Sequence, residues 1–154
     1  MLYRGVDKKT DAANDGKLLP KGTLVEVMAQ YDGRWKMDGT IVAGPAQSNT
    51  ARAHQLNTGL YGGCGVSTSR SEKVAIRFAT GDGVEDGFVY VIDEEKLADA
   101  NIAAWEFKDA AEPQEQEVTL IPLDGQALPD SVLVDKYEVT SDGSVVAKRL
   151  LQHP

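Results

Sequence analysis

The chain has 154 residues, and its 24 acidic and 16 basic residues give a formal net charge of −8. That length predicts one domain with a core of its own, and the acidic excess argues against broad binding to phosphate backbones or anionic membranes. The single cysteine, Cys64, excludes an internal disulfide, and two histidines leave few ligands for a metal centre.

The first part of the chain predicts short β elements. Residues 2–4, Leu-Tyr-Arg, are typical of a strand that ends at Gly5 and has Arg4 at its exit. Residues 23–30 and 34–42 are joined by the Asp32-Gly33 turn, and this arrangement favours a hairpin.

Two helices are predicted in the middle of the chain. Residues 48–59 indicate a helix because Ser48 or Asn49 can cap its start and Gly59 can end it. The Ser69-Arg-Ser-Glu72 segment is a capping box that begins the second helix. The apolar residues that follow it fall on one helical face before Gly81: Val74, Ala75, Phe78 and Ala79.

The second half of the chain predicts further strands. GFVYVI, residues 87–92, is apolar on both faces and is typical of a central strand, and residues 93–100 predict a brief helical turn. The β-branched run 118–121 predicts a short strand that Pro122 ends. The last predicted element is a hairpin formed by residues 132–139 and 144–151 around a Ser-Asp-Gly turn.

Glu115 and Glu117 form an acidic pair at the entrance to the 118–121 strand. Side chains alternate across a strand, so the pair is expected to share one face. Two like charges repel, and burial raises the pKa of at least one carboxyl, so the pair costs stability unless a cation lies opposite. A solvated face is the simpler alternative, because glutamate is mostly exposed in proteins.

Three short motifs resemble, in their order and spacing, the signature of the mono-ADP-ribosyltransferase toxins of the cholera toxin and heat-labile enterotoxin type. They are Arg4, Ser67-Thr68-Ser69 and Glu115-Gln-Glu117. The surrounding segments LYRG, NTGLYGGCGVSTS, GFVYVID and EPQEQEVTLIPL are similar as well, so the resemblance runs from Leu2 to about Leu123. It implies an α+β fold with two small antiparallel β-sheets packed at a steep angle, flanking helices, and an NAD cleft between the sheets.

The resemblance also implies a role for each motif in cleaving the nicotinamide–ribose bond of NAD. Such a cleavage passes through an oxocarbenium-like state, so Glu117 would accept a hydrogen bond from the ribose and oppose the growing positive charge. Glu115 would orient the acceptor and take its proton, an arrangement that accompanies transfer to arginine. The substrate would then supply the cation that the acidic pair needs. Arg4 would bind the pyrophosphate, with a surface ion pair as its alternative, and Ser67 would hold Glu117.

Five further residues would complete the NAD site. Thr68 and Ser69 would shape the strand end, and Ser69 would also cap the following helix. Gly5 would allow a close backbone approach to the nicotinamide amide, although a plain turn explains a glycine there nearly as well. Phe78 would form a wall of the nicotinamide pocket or belong to the core. His54 lies upstream of the serine motif as an active-site histidine does in the cholera-like enzymes, across a shorter stretch.

Two aromatic residues precede the glutamates. Trp105 and Phe107 lie in the segment that faces the acceptor in similar enzymes. Aromatic residues on a polar loop either anchor an interface or fold back into the core, so both are candidates for target recognition with a structural alternative.

The chain departs from the cholera-like proteins because it has one cysteine and ends soon after the terminal hairpin. We therefore expect residues 1–154 to be a single catalytic domain of a larger secreted or injected bacterial effector, such as a polymorphic toxin with a cognate immunity protein. No membrane-spanning run or secretory signal is expected, and the activity would lie in the target-cell cytoplasm. NAD is the expected substrate, an arginine-bearing protein the expected target, and neither a metal nor a nucleic acid is expected. The alternatives are an NAD glycohydrolase, transfer to a nucleic acid, and an inactive binding domain of the same fold.

Overall fold

The computed structural model describes residues 1–28, 45–56, 63–110 and 112–150. The predicted hairpin over residues 23–42 lies mostly outside these ranges, as do Gly59 and His153. The strands are β1 (Leu2–Asp7), β2 (Val27–Met28), β3 (Pro45–Ala46), β4 (Val66–Ser69), β5 (Gly87–Ile92), β6 (Ile102–Trp105), β7 (Glu117–Pro122), β8 (Leu133–Val139) and β9 (Val145–Leu150). The helices are α1 (Lys8–Ala13), α2 (Gln47–Leu56) and α3 (Glu72–Ala79), and short 3₁₀ turns cover Glu94–Lys96, Pro113–Glu115 and Asp130–Val132.

Seven of the strands form one antiparallel sheet in the order β6-β7-β4-β1-β5-β8-β9. β1 pairs with β5 along its whole length, but among the described residues it meets β4 only where Tyr3 lies opposite Ser69. The sheet therefore consists of two halves joined at a single residue pair, one of β6, β7 and β4 and the other of β1, β5, β8 and β9. Beyond that pair, where antiparallel pairing would continue to Gly5 and Ser67, β1 and β4 separate.

The central position of β5 explains why its sequence is apolar on both faces. Tyr90 and Ile92 belong to the larger core cluster, whereas Val89 belongs to a second cluster on the other face. Helix α3 contributes Ala75 and Ala79 to this second cluster. The predicted central strand is confirmed, as are the 118–121 strand, the brief turn in 93–100 and the terminal hairpin of β8 and β9.

The structure corrects the predicted ends of two elements, β1 and α2. β1 continues to Asp7, so Arg4 lies within the strand rather than at its exit, and Gly5 is no turn. α2 begins at Gln47, so the predicted caps Ser48 and Asn49 lie inside the helix.

None of the helices in the described ranges is long and apolar enough to cross a membrane.

The start of α3 is also corrected. The N-cap is Ser71, whose hydroxyl accepts from the Val74 N–H at 3.3 Å, and not Ser69. Ser69 ends β4, and its hydroxyl instead donates to the Glu115 carbonyl at 2.6 Å. Phe78 was predicted on the apolar face of this helix, but it is 50% exposed and is not part of the core.

Gly5 is required by the close packing of α3 on β1. A Cβ on Gly5 would lie 1.9 Å from the carbonyl oxygen of Ala75 and 2.6 Å from the amide nitrogen of Ala79. Because these are backbone atoms, the helix itself would have to move. We expect Gly5→Ala to lower the free energy of unfolding by about 3 kcal/mol or more, measured by urea denaturation. An unchanged denaturation midpoint would contradict this packing.

Candidate active site

A cavity of about 360 Å³ lies where β1 and β4 separate. Its walls come from β1, α2, β4, α3, the 3₁₀ turn before β7, the first residue of β7 and the segment that contains Lys21. All the residues predicted to act in catalysis or to contact NAD line it: Arg4, Gly5, His54, Ser67, Thr68, Ser69, Phe78, Glu115 and Glu117. Four lining residues were not predicted: Tyr3, Lys21, Gln55 and Ala75.

The two glutamates reach the cavity from different elements. Glu117 opens β7, whereas Glu115 lies in the preceding 3₁₀ turn. Gln116 between them has a φ of 48°, in the left-handed region, so strand alternation does not extend to Glu115. The prediction that both lie on one strand face is therefore wrong, although both side chains line the same cavity.

Glu117 is a half-buried carboxylate with hydroxyl partners. Thr119 donates to its Oε2 at 2.8 Å, and Ser67 is a second hydrogen-bond partner. Burial raises the pKa of Glu117 above its ordinary value, and the charge of Glu115 adds to that rise. The hydroxyl hydrogen bonds and the nearby Arg4 cation oppose it, because they favour the ionised form.

The protein itself places cations near the acidic pair. Arg4, half-buried on β1, donates through Nη1 to the Ser67 carbonyl at 3.3 Å, and its charge acts on Glu117. Burial lowers the pKa of Arg4, but a guanidinium stays charged at neutral pH. Arg77 Nη2 lies 3.7 Å from Glu115 Oε1. The expectation that the substrate supplies the cation that the acidic pair needs is therefore corrected, because Arg4 and Arg77 of the protein lie beside the pair.

His54 contacts the serine motif from α2. The side chain is buried, and its Nε2 lies 2.8 Å from the Ser67 hydroxyl. Its Nδ1 has no hydrogen-bond partner among the described residues and lies against Gly65, where a Cβ would be only 2.7 Å away. Burial, followed by the charges of Arg4 and Lys21, lowers the pKa of His54 to about 4, so the imidazole is neutral at neutral pH.

Backbone pairing joins the serine and glutamate motifs. Ser67 lies opposite Thr119, and Ser69 lies opposite Glu117. The Thr68 hydroxyl, on the other face of β4, donates to the Val118 carbonyl at 2.7 Å. The pairing of β4 with β7 therefore brings the two motifs together although they are distant in sequence. It places Ser67 beside the carboxylate of Glu117.

Trp105 and Phe107 do not line the cavity. Their rings stack with centroids 6.1 Å apart, and the Trp105 Nε1–H donates to the Gln47 side chain at 2.7 Å. The guanidinium carbon of Arg52 lies 3.6 Å from the Phe107 ring centroid. These contacts attach the end of β6 and the segment after it to α2. The role of both aromatic residues in target recognition stays a prediction.

The residues that sequence reasoning missed carried little signal. Tyr3 flanks Arg4 and Gln55 follows His54, so their neighbours were the only local hint. Nothing in the sequence distinguishes Lys21 from the other lysines.

In the parts of the chain that the structure describes, no group of three or more His, Cys, Asp or Glu side chains could hold a metal ion.

A family model described as NarE matches residues 1–120. The chain belongs to the NarE family. This is an ADP-ribosyltransferase-like family, so the chain is an ADP-ribosyltransferase-like domain, in agreement with the resemblance seen in the sequence. Comparison with curated proteins gives no match.

Solved structures of heat-labile enterotoxin share the fold of this NarE-family domain. A double mutant is 24% identical with a TM-score of 0.53, over 99% of this chain and 62% of that chain. An arginine-to-lysine mutant, described as having a very flexible active-site loop in the A subunit, is 20% identical with a TM-score of 0.52, over 99% and 74%. An E. coli heat-labile enterotoxin in which lysine replaces a buried valine is 20% identical with a TM-score of 0.51, over 99% of this chain and 75% of that chain. The chain thus spans about three fifths of the first of these, and the predicted ADP-ribosyltransferase fold is confirmed.

Proposed function

We propose that this domain cleaves NAD at the nicotinamide–ribose bond and transfers ADP-ribose to an arginine of a target protein. The observation that carries the proposal is the position of Glu117. It is a half-buried carboxylate held by hydroxyl donors in a cavity that also contains Arg4 and a second carboxylate, Glu115. A fixed negative charge of this kind stabilises a sugar that becomes cationic.

The shape and charge of the surroundings suit a dinucleotide. Arg4 and Lys21 line both the main cavity and a neighbouring cavity of about 150 Å³. The pyrophosphate would bind these two cations, with the nicotinamide half in the main cavity and the adenosine half in its neighbour. A planar guanidinium suits bidentate contact with phosphate oxygens. Phe78, half exposed at the cavity wall, offers an apolar face for the nicotinamide ring.

The chemistry needs one bond to break and one to form. The bond between ribose C1′ and the nicotinamide nitrogen breaks, and its electron pair neutralises the pyridinium as nicotinamide leaves. Glu117 opposes the positive charge left on the ribose. The acceptor arginine nitrogen then bonds to C1′ and gives up a proton, for which Glu115 is the acceptor. The products are nicotinamide, a proton and an ADP-ribosylated arginine.

A second candidate is NAD hydrolysis with water as the acceptor. The observation that favours it is the ion pair of Arg77 with Glu115 at 3.7 Å. An arginine of the protein itself already lies beside the carboxylate that would receive the target arginine. A target that fails to displace Arg77 would leave water as the nucleophile, and free ADP-ribose would be released.

We further propose, on the resemblance alone, that residues 1–154 are the catalytic module of a secreted or injected effector that acts in the cytoplasm of a target cell. A cognate immunity protein that covers the cavity would then be its partner.

The proposal is tested by incubating the purified protein with NAD and a cell lysate. Mass spectrometry of the lysate proteins detects an added ADP-ribose on arginine, and chromatography detects nicotinamide and free ADP-ribose. Labelled arginine together with nicotinamide release supports transfer, whereas free ADP-ribose without labelled protein supports hydrolysis. Absence of nicotinamide release from NAD, with and without lysate, contradicts both.

A further inference from the structure

Three side chains form a line of hydrogen bonds that ends at Glu117. Gln55 of α2 donates through Nε2 to the Thr119 hydroxyl at 3.1 Å, and Thr119 donates to Glu117 Oε2 at 2.8 Å. Thr119 is fully buried and does not line the cavity. It can therefore affect a bound substrate only through its hydrogen-bond partners, Glu117 and Gln55, which do line the cavity. Thr119 and Glu117 share one face of β7.

The direction of the line is fixed by the donors that each group has. A hydroxyl has one proton, and an ionised carboxylate can only accept. The Thr119 proton therefore points to Glu117, and the Thr119 oxygen must accept from the amide NH₂ of Gln55. Gln55 thereby orients the hydroxyl, and the hydroxyl orients the carboxylate.

We propose that Gln55 and Thr119 are positioning residues that hold Glu117 as an oriented carboxylate for NAD cleavage. This inference rests on the proposed function and assigns it two residues outside the arginine, serine and glutamate motifs. A charged acceptor makes the hydrogen bond from Thr119 stronger than one between neutral groups.

Helix α2 places both supports of the site at once. The consecutive residues His54 and Gln55 contact Ser67 and Thr119, whose backbones lie directly opposite each other on β4 and β7. One turn of α2 thus contacts the Ser67 hydroxyl on β4 and the Thr119 hydroxyl on β7, the two strands that pair beside Glu117. A shift of α2 would release both hydroxyls together.

Several charged groups surround Glu117. The relay, meaning the hydrogen bonds from Gln55 through Thr119 to Glu117, acts in addition to them. Arg4 faces it from β1, and Glu115 faces it from the 3₁₀ turn, with Arg77 of α3 paired to Glu115. His54 of α2 is neutral at neutral pH because burial lowers its pKa to about 4. The hydrogen bond from the Thr119 hydroxyl lowers the Glu117 pKa against the effect of burial, so its loss raises that pKa.

The main test is Thr119→Val, which keeps the side-chain shape and removes the hydroxyl. We expect kcat for nicotinamide release to fall about ten- to hundredfold, with a smaller change in KM for NAD. We also expect the acid limb of the pH–rate profile to move to higher pH, because Glu117 must be ionised to act. Thr119→Ser restores the hydroxyl and should return both the rate and the acid limb towards the wild type.

Two further variants separate this role from a general loss of packing. Thr80→Val removes another buried threonine hydroxyl, one that bonds only to backbone groups, mainly the Ile76 carbonyl, and makes no hydrogen bond to Glu117 or Gln55. It should leave kcat and the pH profile unchanged. Gln55→Leu should lower kcat in the same direction as Thr119→Val, and the double variant should be little worse than Thr119→Val alone, since both changes break one chain of bonds.

The outcomes distinguish the relay from the function that it serves. If Glu117→Gln is inactive while Thr119→Val keeps the wild-type rate and acid limb, the relay is wrong and the proposed function stands. A Thr119→Ser variant as impaired as Thr119→Val also overturns the relay, because the hydroxyl would then be irrelevant. If Glu117→Gln cleaves NAD like the wild type, the proposed function fails first. Should Thr119→Val fail to fold, the acid limb of Gln55→Leu carries the test, because Gln55 lines the cavity and a change in its rate alone does not separate the relay from direct contact with NAD.

Discussion

Glu117→Gln abolishes nicotinamide release and protein labelling together, with an expected loss of about a thousandfold in kcat. The substitution keeps the size of the side chain and an oxygen that can accept from Thr119, but it removes the charge that we propose opposes the cationic ribose. Chromatography of nicotinamide measures the first activity and mass spectrometry of labelled protein the second.

The matched control is Glu112→Gln in the same segment. Glu112 is exposed and does not line the cavity, so its charge should be dispensable for both activities. A Glu117→Gln enzyme with the wild-type rate of nicotinamide release would show that Glu117 is not the group that opposes the ribose charge.

Glu115→Ala separates transfer from hydrolysis. We expect labelling of arginine to fall about a hundredfold or more, the usual contribution of a general base, while nicotinamide release falls far less. The reason is geometric, since Glu115 lies in the 3₁₀ turn outside β7 and is paired with Arg77, whereas Glu117 is held inside the strand by Thr119.

The measurement for Glu115→Ala is the ratio of labelled arginine to released nicotinamide in the same reaction. Loss of the ion pair should matter little for folding, because Arg77 is half exposed and also pairs with Asp82 at 3.1 Å. An equal fall of both activities would remove Glu115 from the acceptor role and leave it as part of the NAD site.

Elements with a strong local pattern could be predicted well from the sequence. GFVYVI, residues 87–92, proved to be the strand with a core cluster on each face, and the terminal hairpin formed as its turn residues indicated. Apolar spacing and turn residues carry this information because they reflect which faces of an element are buried and where the chain turns. Element ends were less accurate, as Ser71 rather than Ser69 caps α3.

The lining of the cavity was partly available from the sequence, but only through the resemblance of its motifs. Arg4, the serine motif and the two glutamates are far apart in the chain, and their order and surroundings indicated that they belong together. The prediction that Glu115 and Glu117 share a strand face was wrong because Gln116, in the left-handed conformation, interrupts the alternation of side chains. No pattern of residue types in the sequence signals that conformation in advance.

The sequence by itself determined the kind of elements, the acidic character of the surface and the motifs that identify the family. Only the tertiary structure decided that Gly5 lies directly under α3, that Arg77 forms an ion pair with Glu115, and that Gln55 reaches Thr119. These contacts join residues that are distant along the chain, so they depend on how helices and strands pack rather than on local periodicity. The support of Glu117 is therefore a property of the folded arrangement of α2, β4 and β7.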